Sequence, residues 1–445
     1  MSKISVIMPS LNVAPYYAEC MESVLNQSFT DIEIIAVDAG STDGTLDILN
    51  RYAKSDSRIK VIHSPKKSYG AQMNMGIEAA EGEYVGIVET DDVLEKNCYE
   101  KLLTYMERYE LDYVKGIAKA FWDIDNGGRY EIAIADLSQK YRDVICPSQI
   151  PELLKDDIFI WLGLYKKSFI KEMKFNETNG AAYQDQGFLL QTIGNAKRAM
   201  YLDSLVYYYR QDNVSASQYS VNGFRYIFEE YKLNHKLLLS MDSEWENFFY
   251  MRYLIQSIGR LQRMAISKKI WSSANEYIDL IREQLKKARI EEKLSFKLLG
   301  ERYYLLMSLF LCSPQETYNY FKDVMRDKYS WVLELLICIK NKKVVIWGCG
   351  KWGKFVHTLL KLNNTKVRCF IDKDPVLWGQ TVQGSDVVSP KDIKGIIQNL
   401  FFVIAVKKSH KEIMEELYLY GVNAEAIYYH PIEIDTELFY ASVYK

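Results

Sequence analysis

The chain has 445 residues, room for two to four domains at roughly 100 to 200 residues each, and its 48% hydrophobic and 26% charged residues are the balance of an ordinary folded protein. The 56 Lys and Arg stand against 58 Asp and Glu, a net charge of -2, which excludes a global basic field for nucleic acid or an anionic membrane. The start, MSKISVIMPSLNV, has no apolar signal core, and no run reaches the roughly 18 apolar residues of a membrane span, so the sequence reads as that of a soluble, cytoplasmic protein. Cys20, Cys98, Cys146, Cys312, Cys338, Cys349 and Cys369 are scattered with no CxxC, which argues against a disulfide framework or zinc ribbon and for reduced, inert thiols.

In chain order, the first ninety residues alternate β-type runs with helical ones: ISVIMPS, AECMESVLNQ, IEIIAVDAG, GTLDILNRYAK, IKVIHS, GAQMNMGIEAA, EYVGIVETDD. This βα rhythm predicts an α/β fold whose parallel sheet collects ligands at the carboxyl ends of its strands. Residues 100 to 215 are more mixed and close on YLDSLVYYYR. From about 220 to 335 apolar and aromatic residues recur every three or four positions, which predicts helices packed on one another. At Lys342 the strand rhythm resets with KVVIWGCGKWGKFVHTLLKL, then KVRCFID and NLFFVIAV, a second, smaller α/β domain. The expected division is 1–218, 219–340 and 341–445.

Two constellations carry chemistry. In Val37-Asp38-Ala39-Gly40-Ser41-Thr42-Asp43-Gly44-Thr45 a carboxylate ends a strand and small residues follow. That suits a shelf for a nucleoside, and it equally suits a capped turn with Ser41 or Thr42 as N-cap and Asp43 in the first helical turn. In Glu89-Thr90-Asp91-Asp92 adjacent carboxylates at a strand end would repel one another unless a cation lay between them and a substrate. Mg²⁺ or Mn²⁺ suits such hard oxygen ligands, using one or two carboxylates plus substrate phosphates, and a solvated acidic loop is the alternative.

Taken with SVIMPSLN, SVLNQSF, the segment SYGAQMNMGIEAAEGEYVGIVETDD, QDQGF and YYYRQDNVS, these motifs resemble the family 2 glycosyltransferases of the GT-A fold over roughly residues 3 to 220. The resemblance implies that Pro9, Asn12, Asp38 and Gly70 line a nucleotide pocket. It implies Asp92 as the direct metal ligand, with Asp91 towards the donor ribose or sugar. Asp185, in Gln184-Asp185-Gln186, falls at the family's catalytic base, and Arg210 and Ser215 at a segment that closes over the diphosphate. Three positions depart from the pattern: Ala39 for a base-binding aspartate, Met73 for an arginine before Asn74, and Gln184 for a glutamate before the base. The implied reaction is an inverting, metal-dependent transfer from a nucleoside-diphosphate sugar such as a UDP-sugar to a hydroxyl of a glycan or lipid-linked acceptor, as in bacterial surface polysaccharide synthesis. Mechanistically, such a transfer needs stabilisation of a departing diphosphate and removal of a hydroxyl proton.

Gly348-Cys349-Gly350-Lys351-Trp352-Gly353 is a GxGxxG that follows the strand KKVVIW and opens a helix, with Asp372 ending the next strand. That context suits a diphosphate on a helix N-terminus and a ribose on the acid, hence NAD or a nucleotide sugar, or else a tight turn with no ligand. The stretch looks like the small Rossmann-like modules beside sugar-modifying enzymes, though no Tyr-x-x-x-Lys pair follows. Two other functions are therefore weighed: a bifunctional transferase with a nicotinamide-dependent oxidoreductase, and a nonenzymatic nucleotide-sugar sensor or scaffold. A lipid-linked acceptor would bring the protein to the inner face of a membrane through KKSFIKEMK or a middle helix, and the aromatic helices favour a homodimer.

Overall fold

The computed structural model describes residues 2–124, 128–156, 158–180, 182–213, 220, 222–266, 275–393 and 400–431. The chain forms two compact units. One comprises 1–120, 132–260 and 272–314, the other 121–131, 261–271 and 315–445.

The first unit opens with β1 (Ile4–Ser10), α1 (Ala14–Leu25), β2 (Ile32–Asp38), α2 (Thr45–Ser55), β3 (Ile59–His63), α3 (Tyr69–Ala79) and β4 (Tyr84–Ile87). Then come β5 (Val93–Leu94), α4 (Cys98–Tyr109), β6 (Tyr113–Ile124, in this unit as far as Ala120), β7 (Gly128–Ile134, in this unit from Ile132), β8 (Gly163–Lys166), the single turn α5 (Lys167–Ile170), α6 (Asp185–Asn195) and β9 (Ala199–Arg210). The helices α7 (Gly223–Asn234), α8 (Ser243–Ile266, in this unit as far as Arg260), α9 (Glu276–Ile290) and α10 (Phe296–Cys312) follow. The sheet runs β3-β2-β1-β4-β8-β6-β9-β5, with β7 beside β6.

All seven residues of β1 are buried because β1 is central, flanked by β2 and β4 in parallel register, and a strand covered on both faces reads as a continuous apolar run. The chain adds β2 and β3 on one side of β1 and then returns to place β4 on the other. This reversal opens a crevice at the carboxyl ends of β1 and β4, the place where open α/β sheets take ligands. Gln72 of α3 closes its floor, its Nε2 donating to Ser10 O at 2.8 Å and Val37 O at 2.6 Å, so one buried amide joins the tips of β1 and β2.

The second unit contains α11 (Pro314–Cys338, from Gln315 on), β10 (Lys343–Trp347), α12 (Lys351–Leu362), β11 (Val367–Ile371), β12 (Thr381–Val382), β13 (Ser385–Val388), β14 (Leu400–Ile404), α13 (His410–Leu419) and β15 (Ile427–Tyr429). Its sheet, β12-β13-β11-β10-β14-β15, is parallel apart from the β12–β13 edge pair. Val345, Trp347, Ile371, Phe402, Ile404 and Leu417 form part of its core. Among the described residues no helix is long and apolar enough to cross a membrane.

Candidate active site

Three strand ends and two helix starts meet at the crevice of the first unit. Pro9 and Ser10 end β1, Asp38 ends β2, and Glu89 to Asp92 follow β4, while Tyr69 opens α3 and Asp185 opens α6. Pro9 and Asp38 are buried, whereas Asn12, Ser41, Thr42, Tyr69, Glu89, Asp91 and Asp185 keep part or much of their surface.

Asp38 serves its own turn. Its Oδ1 accepts from Gly40 N (2.8 Å) and Ser41 N (2.9 Å), and its Oδ2 from Ser41 Oγ (2.6 Å) and Ser10 Oγ (3.1 Å), so both oxygens are engaged by the protein. Asn12 lies across that turn in the left-handed region, φ 56°, which asparagine tolerates better than most residues. Its Oδ1 accepts from Thr42 N at 2.8 Å, and its own N donates to Ser41 Oγ at 2.9 Å. Asp43 continues the link, accepting from Ala14 N at 3.0 Å and from Thr45 N and Oγ1 at 3.0 and 2.6 Å. The expected cap at Ser41 or Thr42 is not formed: α2 starts at Thr45 with Gly44 as its N-cap, so Asp43 precedes the helix, and Asn12, Thr42 and Asp43 are the exposed side chains of the turn.

The acidic run divides by direction. Asp92 is fully buried; its Oδ1 accepts from Arg210 N at 2.7 Å and its Oδ2 from the Tyr207 hydroxyl at 3.0 Å, and burial pushes its carboxyl well above the usual range. Asp91 is half-buried, accepts from Asn213 Nδ2 at 2.8 Å, and is also raised by burial. Glu89 points back towards α3, where the Tyr69 hydroxyl donates to it at 2.6 Å. Burial, with Asp91 and Asp185 adding like charge, pushes Glu89 up to about 8 against the pull of the Tyr69 hydrogen bond.

Asp185 stands in the first turn of α6, accepting from Gln186 Nε2 at 2.8 Å. Burial raises its carboxyl, opposed by the charge of Arg252 and the Gln186 hydrogen bond. Arg252, from α8, donates to Gln186 Oε1 at 2.6 Å and to the carbonyls of Leu154 (2.8 Å) and Asp156 (3.2 Å), tying the α6 start to the 150s segment. Gln184, buried, accepts from Gly70 N at 2.8 Å and donates to Thr178 O and Oγ1, both at 2.5 Å, so it joins the starts of α3 and α6.

Three expected site residues, Asp92, Arg210 and Gly70, take other places than the sequence implied. Asp92 faces inward, so the half-exposed carboxylate of the pair is Asp91. Arg210 is buried, its guanidinium held by Glu19, by Asp212 at 3.3 Å and by Asp91 O at 2.8 Å, and stacked on Tyr16 at 4.8 Å; it braces the acidic turn from behind. Gly70 is buried, and a Cβ there would lie 2.0 Å from Asn176 O, so its missing side chain serves a backbone contact within the protein. Ser215 lies outside the described residues.

Reading the sequence missed Glu89, Tyr69 and Arg252 as working residues. Glu89 had a signal, as the first acid of a four-residue acidic run, and Arg252 stood alone in the apolar stripe FFYMRYLIQ. Among the described residues no group of three or more His, Cys, Asp or Glu side chains is gathered as a ready metal cage. The chemistry of the crevice still suits a hard divalent cation: Glu89, Asp91 and Asp185 raise one another or are raised by burial, and a cation would relieve them with phosphate oxygens completing its shell.

In the second unit the structure does bring the glycine turn and Asp372 together. Asp372 Oδ2 accepts from Cys349 N at 3.0 Å and from its thiol at 3.2 Å, and Oδ1 accepts from Asp374 N at 3.0 Å. The backbone hydrogen bonds hold this carboxyl below its ordinary range despite burial, and burial with the neighbouring carboxylate pushes the Cys349 thiol up to about 12. A Cβ at Gly353 would lie 1.8 Å from Gly348 O, the close helix–strand approach expected of the last glycine in this pattern.

With this geometry in view, the likenesses to known proteins are informative. Residues 5–169 match the model of a family described as Glycosyl transferase family 2, and residues 340–428 one described as C2185-like, N-terminal. The chain is 28% identical over 257 residues to glycosyltransferase GlyG of Streptococcus pneumoniae serotype 4, covering 54% of this chain and 82% of that one. It is 31% identical over 215 residues to a poly(ribitol-phosphate) beta-glucosyltransferase of Bacillus spizizenii, covering 46% and 32%. Three further curated relatives are spanned over only 60 to 64% of their length. The solved structure of S. aureus TarS 1-349 in complex with UDP-GlcNAc superposes with TM-score 0.56 at 20% identity, over 73% of this chain and 92% of that one. The first unit thus has an α/β, GT-A-like glycosyltransferase fold, and residues 5–169 are similar to the Glycosyl transferase family 2 model. The protein is a transferase enzyme.

Proposed function

We propose that the protein moves a sugar from a nucleoside diphosphate sugar, a UDP-sugar, to a hydroxyl of a glycan or glycoconjugate acceptor with inversion, in the building of a bacterial surface polymer. The observation that carries this reading is the meeting of the partly exposed Glu89, Asp91 and Asp185 at the β1/β4 reversal, beside the Asn12–Thr42 shelf. The TarS structure with UDP-GlcNAc and the named glycosyltransferase relatives support the donor class.

In this reading Asp91 takes the role of direct ligand to Mn²⁺ or Mg²⁺, with Glu89 beside it, and the metal would neutralise charge on the departing diphosphate. Asp92 and Arg210 hold the acidic turn in place, and Asp38 orders the turn under the nucleoside. Asp185, its carboxyl raised by burial, removes the acceptor proton as the hydroxyl oxygen bonds to the anomeric carbon and the bond to the diphosphate breaks on the opposite face. One displacement inverts that carbon, so an α-linked donor gives a β-linked product.

Functionally we take 1–218 as the transferase part, 219–340 as the helical part and 341–445 as an appended Rossmann-like module for binding, regulation or assembly. Because no Tyr-x-x-x-Lys pair follows the glycine turn, a nucleotide sugar seated there is favoured over a nicotinamide-dependent oxidoreductase. A lipid-linked acceptor at the inner membrane face and a homodimer belong to the same reading.

The test is a thermal-shift panel of UDP, GDP, CMP, their sugars and NAD, each with Mn²⁺ and with chelator. A ligand at a hundred times its dissociation constant stabilises by about 2.7 kcal/mol. A Mn²⁺-dependent shift with UDP-sugars is expected; no metal-dependent shift with any nucleotide would move the weight to a sensor or scaffold.

A further inference from the structure

Phe159, Trp161 and Tyr209 form a continuous aromatic stack in the first unit: Phe159 and Trp161 are 4.7 Å apart and 12° from parallel, and Trp161 lies 5.1 Å from Tyr209. Trp161 also stacks on Tyr207 at 4.3 Å, and Tyr207 is the residue whose hydroxyl donates to Asp92. Trp161 and Tyr207 are buried, while Phe159 and Tyr209 at the ends of the stack keep part of their surface.

This stack is held with unusual care for an ordinary core cluster. Lys115, 1% exposed on β6, donates from Nζ to Phe159 O at 2.7 Å and to the Tyr165 hydroxyl at 2.7 Å, and that hydroxyl donates to Ile160 O at 2.8 Å. Burying a lysine is costly and pushes its ammonium down to about 7, yet this one is spent on the backbone beneath a half-exposed ring. Arg252 ties Leu154 and Asp156, just upstream, to Gln186 beside Asp185. One edge of the stack is therefore coupled to the metal-side acid turn, and the segment that carries it is coupled to the start of α6.

We propose that the Phe159–Trp161–Tyr209 stack is the acceptor subsite and takes the flat apolar face of a pyranose ring. An aromatic plane held rigid before binding offers apolar area with little ordering cost, and it suits a ring over an open-chain polyol phosphate. The inference rests on the transferase reading and names the acceptor chemistry of that same crevice.

Saturation-transfer NMR on the full chain with UDP and Mn²⁺ tests it, with methyl β-glucoside and methyl N-acetyl-β-glucosaminide as ring probes and ribitol 5-phosphate as the open-chain probe. Saturation of the glycoside ring protons in wild type, and apparent affinity at least about fivefold weaker in Phe159→Ala, are expected from the scale of an aromatic contact. Phe159→Leu, which keeps apolar bulk but no flat ring, should weaken it in the same direction and decides the matter if Phe159→Ala does not fold. Equal saturation of wild type and variant, no glycoside saturation in wild type, or ribitol 5-phosphate binding with the same dependence on Phe159 would overturn the subsite. Titration of UDP alone reads separately: wild type that saturates the glycosides yet binds no UDP would sink the donor reading and leave the aromatic site standing.

Discussion

The Tyr69 hydroxyl donates to Glu89 at 2.6 Å, joining the first turn of α3 to the strand-end acid that faces the crevice. Burial holds that acid up to about 8, so metal-free folded protein keeps the proton over a range in which the unfolded chain, near 4.5, has lost it. A carboxyl raised on folding contributes stability that is fully present below the unfolded value and is lost as pH rises through the folded one. In chelator, the melting temperature of wild type should therefore fall between about pH 5 and pH 8 relative to Glu89→Gln, whose neutral amide still accepts from Tyr69. Parallel melting curves for the two proteins across that range would show that Glu89 does not titrate this way.

The acidic pair separates by experiment. Asp92→Asn places an amide between the backbone N of Arg210 and the Tyr207 hydroxyl, and should cost on the order of 1 to 3 kcal/mol of stability. Asp91→Asn, on the half-exposed partner, should leave the melting point nearly unchanged and remove the Mn²⁺-dependent part of UDP binding. Chemical denaturation reads the first effect and calorimetric titration the second; the reverse assignment of effects would return the ligand role to Asp92.

At Asp185 the expected loss is kinetic. Asp185→Asn should bind the nucleotide donor as wild type does while transfer falls by at least about a hundredfold. Because Gln186 and Arg252 also brace this helix start, Arg252→Lys is a useful companion. It keeps the charge that opposes the raised Asp185 but loses the fork that reaches three partners, so a milder fall in kcat with little movement of the acid limb in the pH profile is expected.

Two glycines should resist any side chain. Gly70→Ala would drive a Cβ against Asn176 O, and Gly353→Ala one against Gly348 O, each a clash with backbone that cannot rotate away. Overpacking of this kind costs typically about 1 to 3 kcal/mol. If Gly353→Ala melted like wild type, the tight turn of the second unit would have slack that its coordinates do not suggest.

The alternation of strands and helices over the first ninety residues was legible in the sequence because βα alternation is a local signal, whereas the antiparallel strands β8, β6, β9 and β5 that extend the sheet were not. The direction of each side chain was not, and Asp91 and Asp92 show why. The two acids lie in the turn between β4 and β5, where side-chain direction follows the turn's own geometry and long-range partners such as Tyr207 and Asn213, and neither can be read from adjacent letters. The resemblance placed Arg210 and Asp38 at the ligand, and in the fold their side chains also pin loops, Arg210 to Asp91 O and Asp38 to Gly40 N. Lys115 was invisible because its partners, Phe159 O and the Tyr165 hydroxyl, lie more than forty positions away. Ser215 falls outside the described residues.

The single amide of Gln72 spans the tips of β1 and β2. With its Nε2 committed to carbonyls of two neighbouring strands, that amide locks the tips of β1 and β2 to each other, so a change at one strand end is passed to the other.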